Sequence, residues 1–557
     1  MLEKLFKQFS ILLLIMLSMA NPINTNVLSQ NTICFETRTI NPEEIPIPIE
    51  DAKFGILNFI AISTKEISKE TDLLFVVDCS GSMSDKCSDE RSKMQHIIHT
   101  LKNMILFLHE HTNAKINVTI NAFDSEIYHI VTRTKITDEN FSEIINKIDK
   151  LSPRGSTNIE FALRKSAEEI TKLQTQFPSN FINHIFMTDG EATDGSKDIP
   201  LLQTIVKPDI TNAFIGFGIE HDASLLNSIS SVGKSTYYFI DKLESAGLVY
   251  GEILHGIIYK SIDDAEIVIE NGFAYDYKTN SWVKSLKIGN IVSEANKTYN
   301  IISHEPENCM VNIKGNINDI PVIFPARQIQ SADLTKQIYR QRTLQLLYQS
   351  NDFNYRKHSY DNSMNPLDIN FTDLVMSPHV DPLNFLEEIK NFRLKLINFI
   401  EEIKKYMTDN NLTEDKFLKN LCDDIYICYR TLGTKYGTMY CTARQISQGT
   451  QRVYTSSSVE DINTPDLYTT TTLGNVPPIP RLYRQHHNTI THSPLFRQNN
   501  SHHIDEEFPD NYDLPILRHE VSDFNDTPYL TPQVTQLMRE ISRPGDDFNN
   551  EDTQEIY

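Results

Sequence analysis

A carboxylate and two hydroxyl groups follow a short apolar run in the N-terminal part of the chain. Asp78, Ser80 and Ser82 come directly after residues 73–77, which have the length and composition of a buried strand. Ligands of an open α/β sheet bind where its parallel strands end. Carboxylate and hydroxyl oxygens, completed by water, are the ligands that Mg²⁺ prefers. The sequence therefore predicts a magnesium site at the end of this strand.

Two later segments carry further side chains of the same kind. Thr157 lies in the sequence Arg-Gly-Ser-Thr-Asn, directly before the amphipathic segment 159–170. Asp189 lies in the sequence Met-Thr-Asp-Gly, at the end of the apolar run 185–187. An Asp-x-Ser-x-Ser segment alone arises easily by chance, because Asp and Ser are common in loops. The three segments together indicate one site of three hydroxyls and two carboxylates.

These three segments resemble the von Willebrand factor A (VWA) domain and its metal-ion-dependent adhesion site, in which all five positions match. The resemblance implies that Ser80, Ser82 and Thr157 give hydroxyl oxygens to Mg²⁺ or Mn²⁺. It implies that Asp78 and Asp189 bind the ion directly or through water. In this family a coordination position stays open for an acidic group, so the expected partner is a protein that offers a Glu or Asp carboxylate.

The loop that continues from Ser82 raises the question of a second ion. Residues 82–85 partly resemble the adjacent regulatory calcium loop of integrin β subunits, with Asp85 as a potential ligand. Lys86 stands where the next acidic residue is found there, and its ammonium group repels a cation. We therefore expect one ion, with Asp85 as a solvated or helix-capping carboxylate.

The periodicity of residues 70–248 predicts a doubly wound, mostly parallel α/β sheet. After the first motif, apolar residues recur at helical spacing from Met94 to Leu108. Residues 116–122 alternate between apolar and polar types, which predicts an edge or antiparallel strand. Residues 213–217 and 237–240 are further β-rich runs, and alternating strands and helices of these lengths favour an α/β fold.

The segments on either side of this domain predict a β-sandwich and a helical unit. Residues 30–69 contain a strand expected to pair with strands of the β-rich unit 249–325, which would bring the two ends of an inserted domain together. Residues 326–455 read as helical. Residues 442–454 and the domain order resemble the β-plus-helix domain that accompanies VWA in some eukaryotic and large-DNA-virus proteins. Residues 456–557 are poor in apolar clusters and are predicted to be a disordered tail. Within it, residues 527–541 have apolar side chains near helical spacing, which could dock on the helical unit or serve as a peptide ligand.

The N-terminus indicates a compartment. Lys4 and Lys7 precede the apolar stretch 9–20, which ends in Ser-Met-Ala. This pattern is typical of a secretory signal peptide over residues 1–20, cleaved after Ala20. The stretch is short for a membrane span, so no span is expected in the mature chain. A location in the secretory pathway or outside the cell follows, and the alternatives are an uncleaved membrane anchor or an intracellular protein.

Charge and motif content bound the function. The formal net charge of -22 at pH 7 disfavours nucleic acid as a partner, because both surfaces are acidic. An enzyme is not expected: if Asp78 were a phosphoryl acceptor, a second acid would be needed two positions later, where Ser80 stands. The favoured function is metal-dependent protein binding, as an adhesion or adaptor module. The alternative is a scaffold whose metal only stabilises the loops, with partners bound by the β and helical units. The sequence predicts no oligomeric state.

Overall fold

The computed structural model describes most of the chain from residue 28 to residue 542. The described ranges are 28–40, 44–46, 51–62, 69–87, 89–110, 115–218, 220–241, 246–317, 319–363, 382–433, 436–452 and 528–542. The expected signal peptide at residues 1–20 lies outside them. None of the helices in these ranges has the length and apolar character needed to cross a membrane.

Strands and helices alternate in the first half of the chain and separate into blocks in the second half. The strands are β1 (Leu28–Phe35), β2 (Lys53–Ile62), β3 (Thr71–Asp78), β4 (Ile116–Phe123), β5 (Ile127–Lys135), β6 (Phe181–Thr188), β7 (Thr211–Phe217), β8 (Lys234–Ile240), β9 (Lys260–Glu270), β10 (Phe273–Asp276), β11 (Ser281–Val283), β12 (Ser285–Val292), β13 (Asn296–Ser303), β14 (Met310–Ile317), β15 (Ile320–Pro325) and β16 (Arg327–Gln328). The helices are α1 (Lys93–Glu110), α2 (Phe141–Ile148), α3 (Ile159–Gln176), α4 (Ile199–Ile205), α5 (Ala223–Ile229), α6 (Ala246–Ile258), α7 (Thr335–Ser363), α8 (Pro382–Asp409), α9 (Lys416–Thr431), α10 (Gly437–Thr450) and α11 (Pro532–Ile541).

A doubly wound sheet carries the predicted metal loops. Its strand order is β5-β4-β3-β6-β7-β8, and every neighbouring pair is parallel except β4 and β5. The fully buried strand β3 alternates its side chains between two cores. Leu73, Phe75 and Val77 face α1, α2 and α6, whereas Leu74 and Val76 face α3, α4 and α5. The predicted α/β fold class is thereby confirmed.

The prediction for residues 116–122 was only partly right, because the strand pairs antiparallel with β5 but is not an edge strand. They form β4, which is parallel to β3 and lies inside the sheet, with all eight residues buried. The polar residues at alternate positions are buried because neighbours satisfy them. Asn117 Nδ2 donates to Glu70 Oε1 at 2.8 Å, and Asn121 Oδ1 lies 2.8 Å from His129 Nδ1. The antiparallel edge strand is β5, which the sequence reasoning missed.

The flanking strands form a β-sandwich around one core. One sheet has the order β11-β10-β13-β2-β1-β16, and the other has the order β12-β9-β14-β15. Strand β2, which precedes the α/β domain, pairs antiparallel with β13, which follows it. Helix α6 continues to Ile258 and leads directly into β9, so the domain boundary expected at residue 248 falls inside a helix. The sandwich also extends past residue 325, because β16 pairs with β1.

The helical unit follows the sandwich and closes one face of the α/β domain. Helices α7 to α10 share a core that includes Leu396, Ile400 and Ile425. Met439 and Ala443 of α10 turn away from this core and join the apolar cluster beneath α3 and α5.

Part of the predicted tail is ordered. Residues 528–542 contain the helix α11, which packs on α6 and α1 through Val534, Leu537, Met538 and Ile541. Asn103 Nδ2 of α1 donates to the carbonyl oxygen of Ile541 at 2.8 Å. The expectation of disorder over all of residues 456–557 was therefore wrong for this segment, because its four apolar residues at helical spacing find a face to cover. The remainder of that range lies outside the described residues.

Candidate metal centre

Three loops at one edge of the α/β sheet bring the predicted residues together. Asp78 is the last residue of β3, and Ser80 and Ser82 lie in the turn that follows it. Asp189 follows β6, which is the neighbour of β3 in the sheet. Thr157 stands two residues before α3. The carboxyl ends of parallel strands meet at the same edge, so side chains far apart in sequence become neighbours.

Backbone hydrogen bonds hold the first two loops against each other. The Gly81 amide donates to the Gly155 carbonyl at 3.2 Å, and the Arg154 amide donates to the Cys79 carbonyl at 2.6 Å. Gly155 has φ +66°, and a Cβ atom there would lie 2.7 Å from Asp124 Oδ2. Only glycine suits this position, because it adopts a positive φ without strain and leaves room for the neighbouring carboxylate.

The loop after β6 closes the third side of the site. The Thr157 amide donates to Thr193 Oγ1 at 2.8 Å, and the Thr193 amide donates back to the Thr157 carbonyl at 3.0 Å. A Cβ atom on Gly190 would lie 3.8 Å from Ser82 Oγ and 3.9 Å from Thr157 Oγ1. The two hydroxyls from different loops therefore both face Gly190.

The oxygen atoms of the site lie at the spacing of neighbouring metal ligands. Ser80 Oγ is 3.1 Å from Ser82 Oγ, and Ser82 Oγ donates to Asp189 Oδ1 at 2.8 Å. Around an ion with metal–oxygen distances of about 2.1 Å, adjacent oxygens of an octahedron lie about 3 Å apart. Oxygen ligands of this number and type suit Mg²⁺ or Mn²⁺. The oxygens of Ser80, Ser82 and Asp189 therefore have the spacing that the expected ion requires.

Asp78 is fully buried and held in one orientation. Its Oδ1 accepts from the Ser80 amide at 2.8 Å, and its Oδ2 accepts from Thr188 Oγ1 at 2.6 Å. Burial, together with the neighbouring charge of Asp189, raises the pKa of Asp78 to about 7, although the two hydrogen bonds oppose the shift. A nearby cation would favour the ionised form. Thr188 was missed by the sequence reasoning, which noted it only as part of the Met-Thr-Asp-Gly segment.

A lysine enters the site from α1. Lys93 Nζ lies 2.6 Å from Asp189 Oδ2, and the Lys93 side chain is only 3% exposed. A second, longer contact of 3.5 Å joins Lys93 Nζ to Asp85 Oδ2. The sequence reasoning assigned the positive charge near Asp85 to Lys86 and missed Lys93. A signal was present, because Lys93 precedes Ile97 by four residues and so shares the helix face predicted to be buried.

The site opens towards solvent on the side of the first loop. Asp78, Ser80, Thr157 and Asp189 are buried, whereas Ser82 is half-buried and Gly81 is exposed. A ligand could therefore approach the hydroxyl side while the carboxylates stay covered. In the ranges that the structure describes, this site included, no group of three or more His, Cys, Asp or Glu side chains is placed to hold a metal ion, so hydroxyl oxygens would have to supply the other ligands here.

Comparison with known proteins identifies the domain. Residues 72–250 match the family model of the von Willebrand factor type A domain, so this part of the chain is a VWA domain. No curated protein matches the sequence.

Solved structures of VWA-containing proteins are similar to this chain. The von Willebrand factor type A protein from Catenulispora acidiphila has 12% identity and a TM-score of 0.43, covering 60% of this chain and 83% of that one. The ArnB paralog VWA2 from Sulfolobus acidocaldarius has 11% identity and a TM-score of 0.42, covering 77% and 98%. Proximal thread matrix protein 1 from the mussel byssus, with a zinc-occupied MIDAS motif, has 16% identity and a TM-score of 0.28, covering 37% and 51%.

Proposed function

We propose that this protein is a divalent-metal-dependent protein-binding module that recognises an acidic side chain of a partner. VWA domains commonly mediate protein interactions, and the domain itself is present in this chain. The observation that carries the proposal is the convergence of three hydroxyls and two carboxylates from three loops. Ser80, Ser82 and Thr157 would hold Mg²⁺ or Mn²⁺ together with the two aspartates.

The charges of the site explain why an acidic partner is expected. A bound dication supplies local positive charge that an incoming carboxylate can neutralise. Asp78 and Asp189 are buried, and the approach lies on the side of Ser82, so the side chain of the site nearest to the partner is a neutral hydroxyl. An acidic chain can therefore bind an acidic side chain at this one point, despite a formal net charge of -22.

Metal binding by the full-length chain is the first test. Calorimetric titration with Mg²⁺ or Mn²⁺ should give about one site, and Asp78→Ala should abolish it while the far-UV circular dichroism stays the same. Asp138→Ala is a matched control, because that carboxylate is exposed and lies in another loop. If both Asp78→Ala and Asp189→Ala bound the metal with unchanged affinity, the ion would not bind at this site.

Partner capture is the second test. Pull-down with the full chain should be lost in EDTA and in Thr157→Ala, because the missing hydroxyl belongs to the ligand set while the sheet beneath is unaltered. Replacing the partner's Glu or Asp by its amide should have the same effect. A partner whose binding is indifferent to all three changes would contradict the metal-bridged mechanism for that partner.

One observation favours a second candidate function. Lys93 neutralises Asp189 from within the protein, so the loops have a cation of their own. In this alternative the chain is a scaffold whose metal only stabilises the loops, and its β and helical units bind other proteins. Deleting the metal ligands would then leave partner capture intact.

We also infer that the chain has no enzymatic activity and that it is located in the secretory pathway or outside the cell. Expression in eukaryotic cells should release a chain that begins at Asn21 if the signal is cleaved after Ala20. A chain that keeps its first twenty residues and is found in the membrane fraction would favour the uncleaved anchor instead. A soluble intracellular chain that keeps them would contradict secretion.

A further inference from the structure

The ammonium group of Lys93 lies at the candidate metal site but does not belong to the metal motif. Lys93 Nζ lies 2.6 Å from Asp189 Oδ2, and the two side chains are 3% and 0% exposed. Asp85 lies further from it, at 3.5 Å, and is 58% exposed. The stronger of the two interactions therefore joins Lys93 to the carboxylate of the site.

The fold fixes the position of Lys93. It is the first residue of α1, and its backbone amide donates to the Asp85 carbonyl at 2.9 Å. The following turns of α1 are anchored in the core by Met94, Ile97 and Leu101. The start of the helix cannot move away from the site without disturbing this core, so the ammonium group is a built-in part of the site.

An unpaired carboxylate at the position of Asp189 would be costly, because a buried charge without a counter-charge is strongly destabilising. Lys93 removes this cost in the absence of an ion. Asp189 nevertheless still presents its other oxygen, Oδ1, to Ser82 Oγ at 2.8 Å. The carboxylate is thus divided between two roles, with one oxygen towards the lysine and one towards the hydroxyl group of the predicted metal site.

We propose that Lys93 is an internal counter-ion that stabilises the ion-free site and lowers its affinity for divalent cations. The inference rests on the proposed function, because it concerns the same metal site. When both are ionised, Asp78 and Asp189 contribute two negative charges, and Lys93 cancels one of them. A dication then binds beside a like charge, which weakens its binding.

A consequence is that the ion and the acidic partner bind cooperatively. A partner carboxylate restores the negative charge that Lys93 cancels, so the ion is held more tightly when the partner is present. Linkage requires the converse, that the ion raises the affinity for the partner by the same factor. The lysine therefore makes occupancy of the site depend on the partner.

The test compares the full-length wild type with Lys93→Met, which keeps the length of the side chain and removes its charge. Calorimetric titration with Mn²⁺, without a partner, should show affinity higher by about tenfold or more in the variant. The melting temperature of Lys93→Met without metal should be lower than that of the wild type, and saturating Mn²⁺ should restore it. Lys102→Met is the matched control on the same helix, because Lys102 pairs with the remote Asp149; it should change neither quantity.

Each outcome separates this inference from the proposed function. Equal or weaker Mn²⁺ binding in Lys93→Met, with binding in the wild type intact, overturns the inference and leaves the proposed function standing. Binding by the variant alone supports the inference and contradicts the proposed function for the wild type. Absence of binding in both overturns both. If Lys93→Met folds only when Mn²⁺ is present, the inference is supported. If both Lys93→Met and Lys93→Gln stay unfolded with Mn²⁺, a dication cannot replace the ammonium group and the inference fails.

Discussion

The candidate metal centre and the helical unit each bury an aspartate beside a cationic side chain, but they differ in what remains available to a ligand. In the helical unit, Arg444 Nη1 donates to Asp423 Oδ2 at 2.8 Å and to Asp424 Oδ1 at 2.9 Å. The second oxygen of Asp424 accepts from Gln448 Nε2 at 2.7 Å. Arg444 and Asp424 are 0% and 1% exposed, so solvent reaches this network only at Asp423, which is 21% exposed.

The metal centre has the same kinds of charge with a different arrangement of neighbours. Its two carboxylates are held by Lys93, Ser82, Thr188 and a backbone amide, and hydroxyl oxygens converge beside them. Hydroxyl oxygens keep lone pairs for a further ligand even while they donate. The network around Arg444 is therefore structural, whereas the arrangement beside Lys93 has the character of a site. Burial of a charged pair does not itself indicate function; oxygens left facing an opening do.

Removing the buried arginine should have the largest effect on stability. Arg444→Met leaves Asp424 buried without its cation, and such a loss typically costs about 3–5 kcal/mol of unfolding free energy. Urea denaturation of the full chain would measure it, and Mg²⁺ should not restore the loss. Arg342→Met serves as a control, because its pair with Glu402 is partly exposed and should contribute about 1 kcal/mol or less. A loss of similar size in both variants would show that the buried pair contributes no more to stability than the partly exposed pair.

Protonation of Asp424 should also change the stability of the buried network around Arg444. Burial raises the pKa of Asp424 to about 6, although Arg444 opposes the shift. The unfolded value is about 3.9, so the folded state binds the proton more tightly. This group therefore adds stability that is fully present below pH 4 and is lost as the pH rises through 6.

The change in unfolding free energy from this group should be on the order of 2 kcal/mol between pH 7 and pH 4. Relative to Asp424→Asn, the wild type should become more stable as the pH falls over this range. Denaturation of the two proteins at matched pH values gives the difference directly. A difference that stays constant with pH would show that Asp424 keeps an ordinary pKa in the folded protein.

At the candidate metal site, removing the hydroxyl group of Thr188 should have a smaller effect than the changes in the helical unit. Thr188→Val preserves the shape of the side chain but removes the hydrogen bond to Asp78 Oδ2. Loss of a group that orients a metal ligand typically weakens metal binding by about 10–100-fold. Calorimetric titration of the full chain with Mn²⁺ would detect it. Thr204→Val, an exposed threonine elsewhere in the domain, should leave the affinity unchanged; an equal loss there would deny Thr188 an orienting role.

The sequence predicted the α/β fold, and it predicted that the five candidate residues lie beside the ends of strands and a helix, because both depend on short local patterns. A strand end followed by polar residues needs no knowledge of distant segments. The error at residues 116–122 involves polar side chains whose partners lie outside that strand. Asn117 and Asn121 suggested an exposed face, although Glu70 and His129 satisfy them within the sheet.

The partners of Lys93 and of α11 could not be predicted from local patterns, because they lie far away in the sequence. A lysine at a helix start normally indicates solvent, and only the carboxylate of Asp189, on another loop, explains its burial. Helix α11 was recognisable from its apolar spacing, but nothing local indicated that it packs on α6. There Gly251 lets the helices approach, since a Cβ atom would lie 2.8 Å from the Met538 Cα.

The smallest effect is expected at Asp85, where the question of a second ion can also be decided. Asp85 is 58% exposed and lies 3.5 Å from Lys93 Nζ, a geometry in which an ion pair contributes about 0.5 kcal/mol or less. Asp85→Asn should therefore leave both the melting temperature and the number of bound Mn²⁺ ions nearly unchanged. The ammonium group of Lys93 lies between Asp85 and Asp189 and repels a cation there more directly than Lys86 was expected to do. An anomalous-scattering map with a second Mn²⁺ on Asp85, or a stoichiometry that falls from two to one in Asp85→Asn, would contradict the single-ion site and show that a metal can bind beside this lysine.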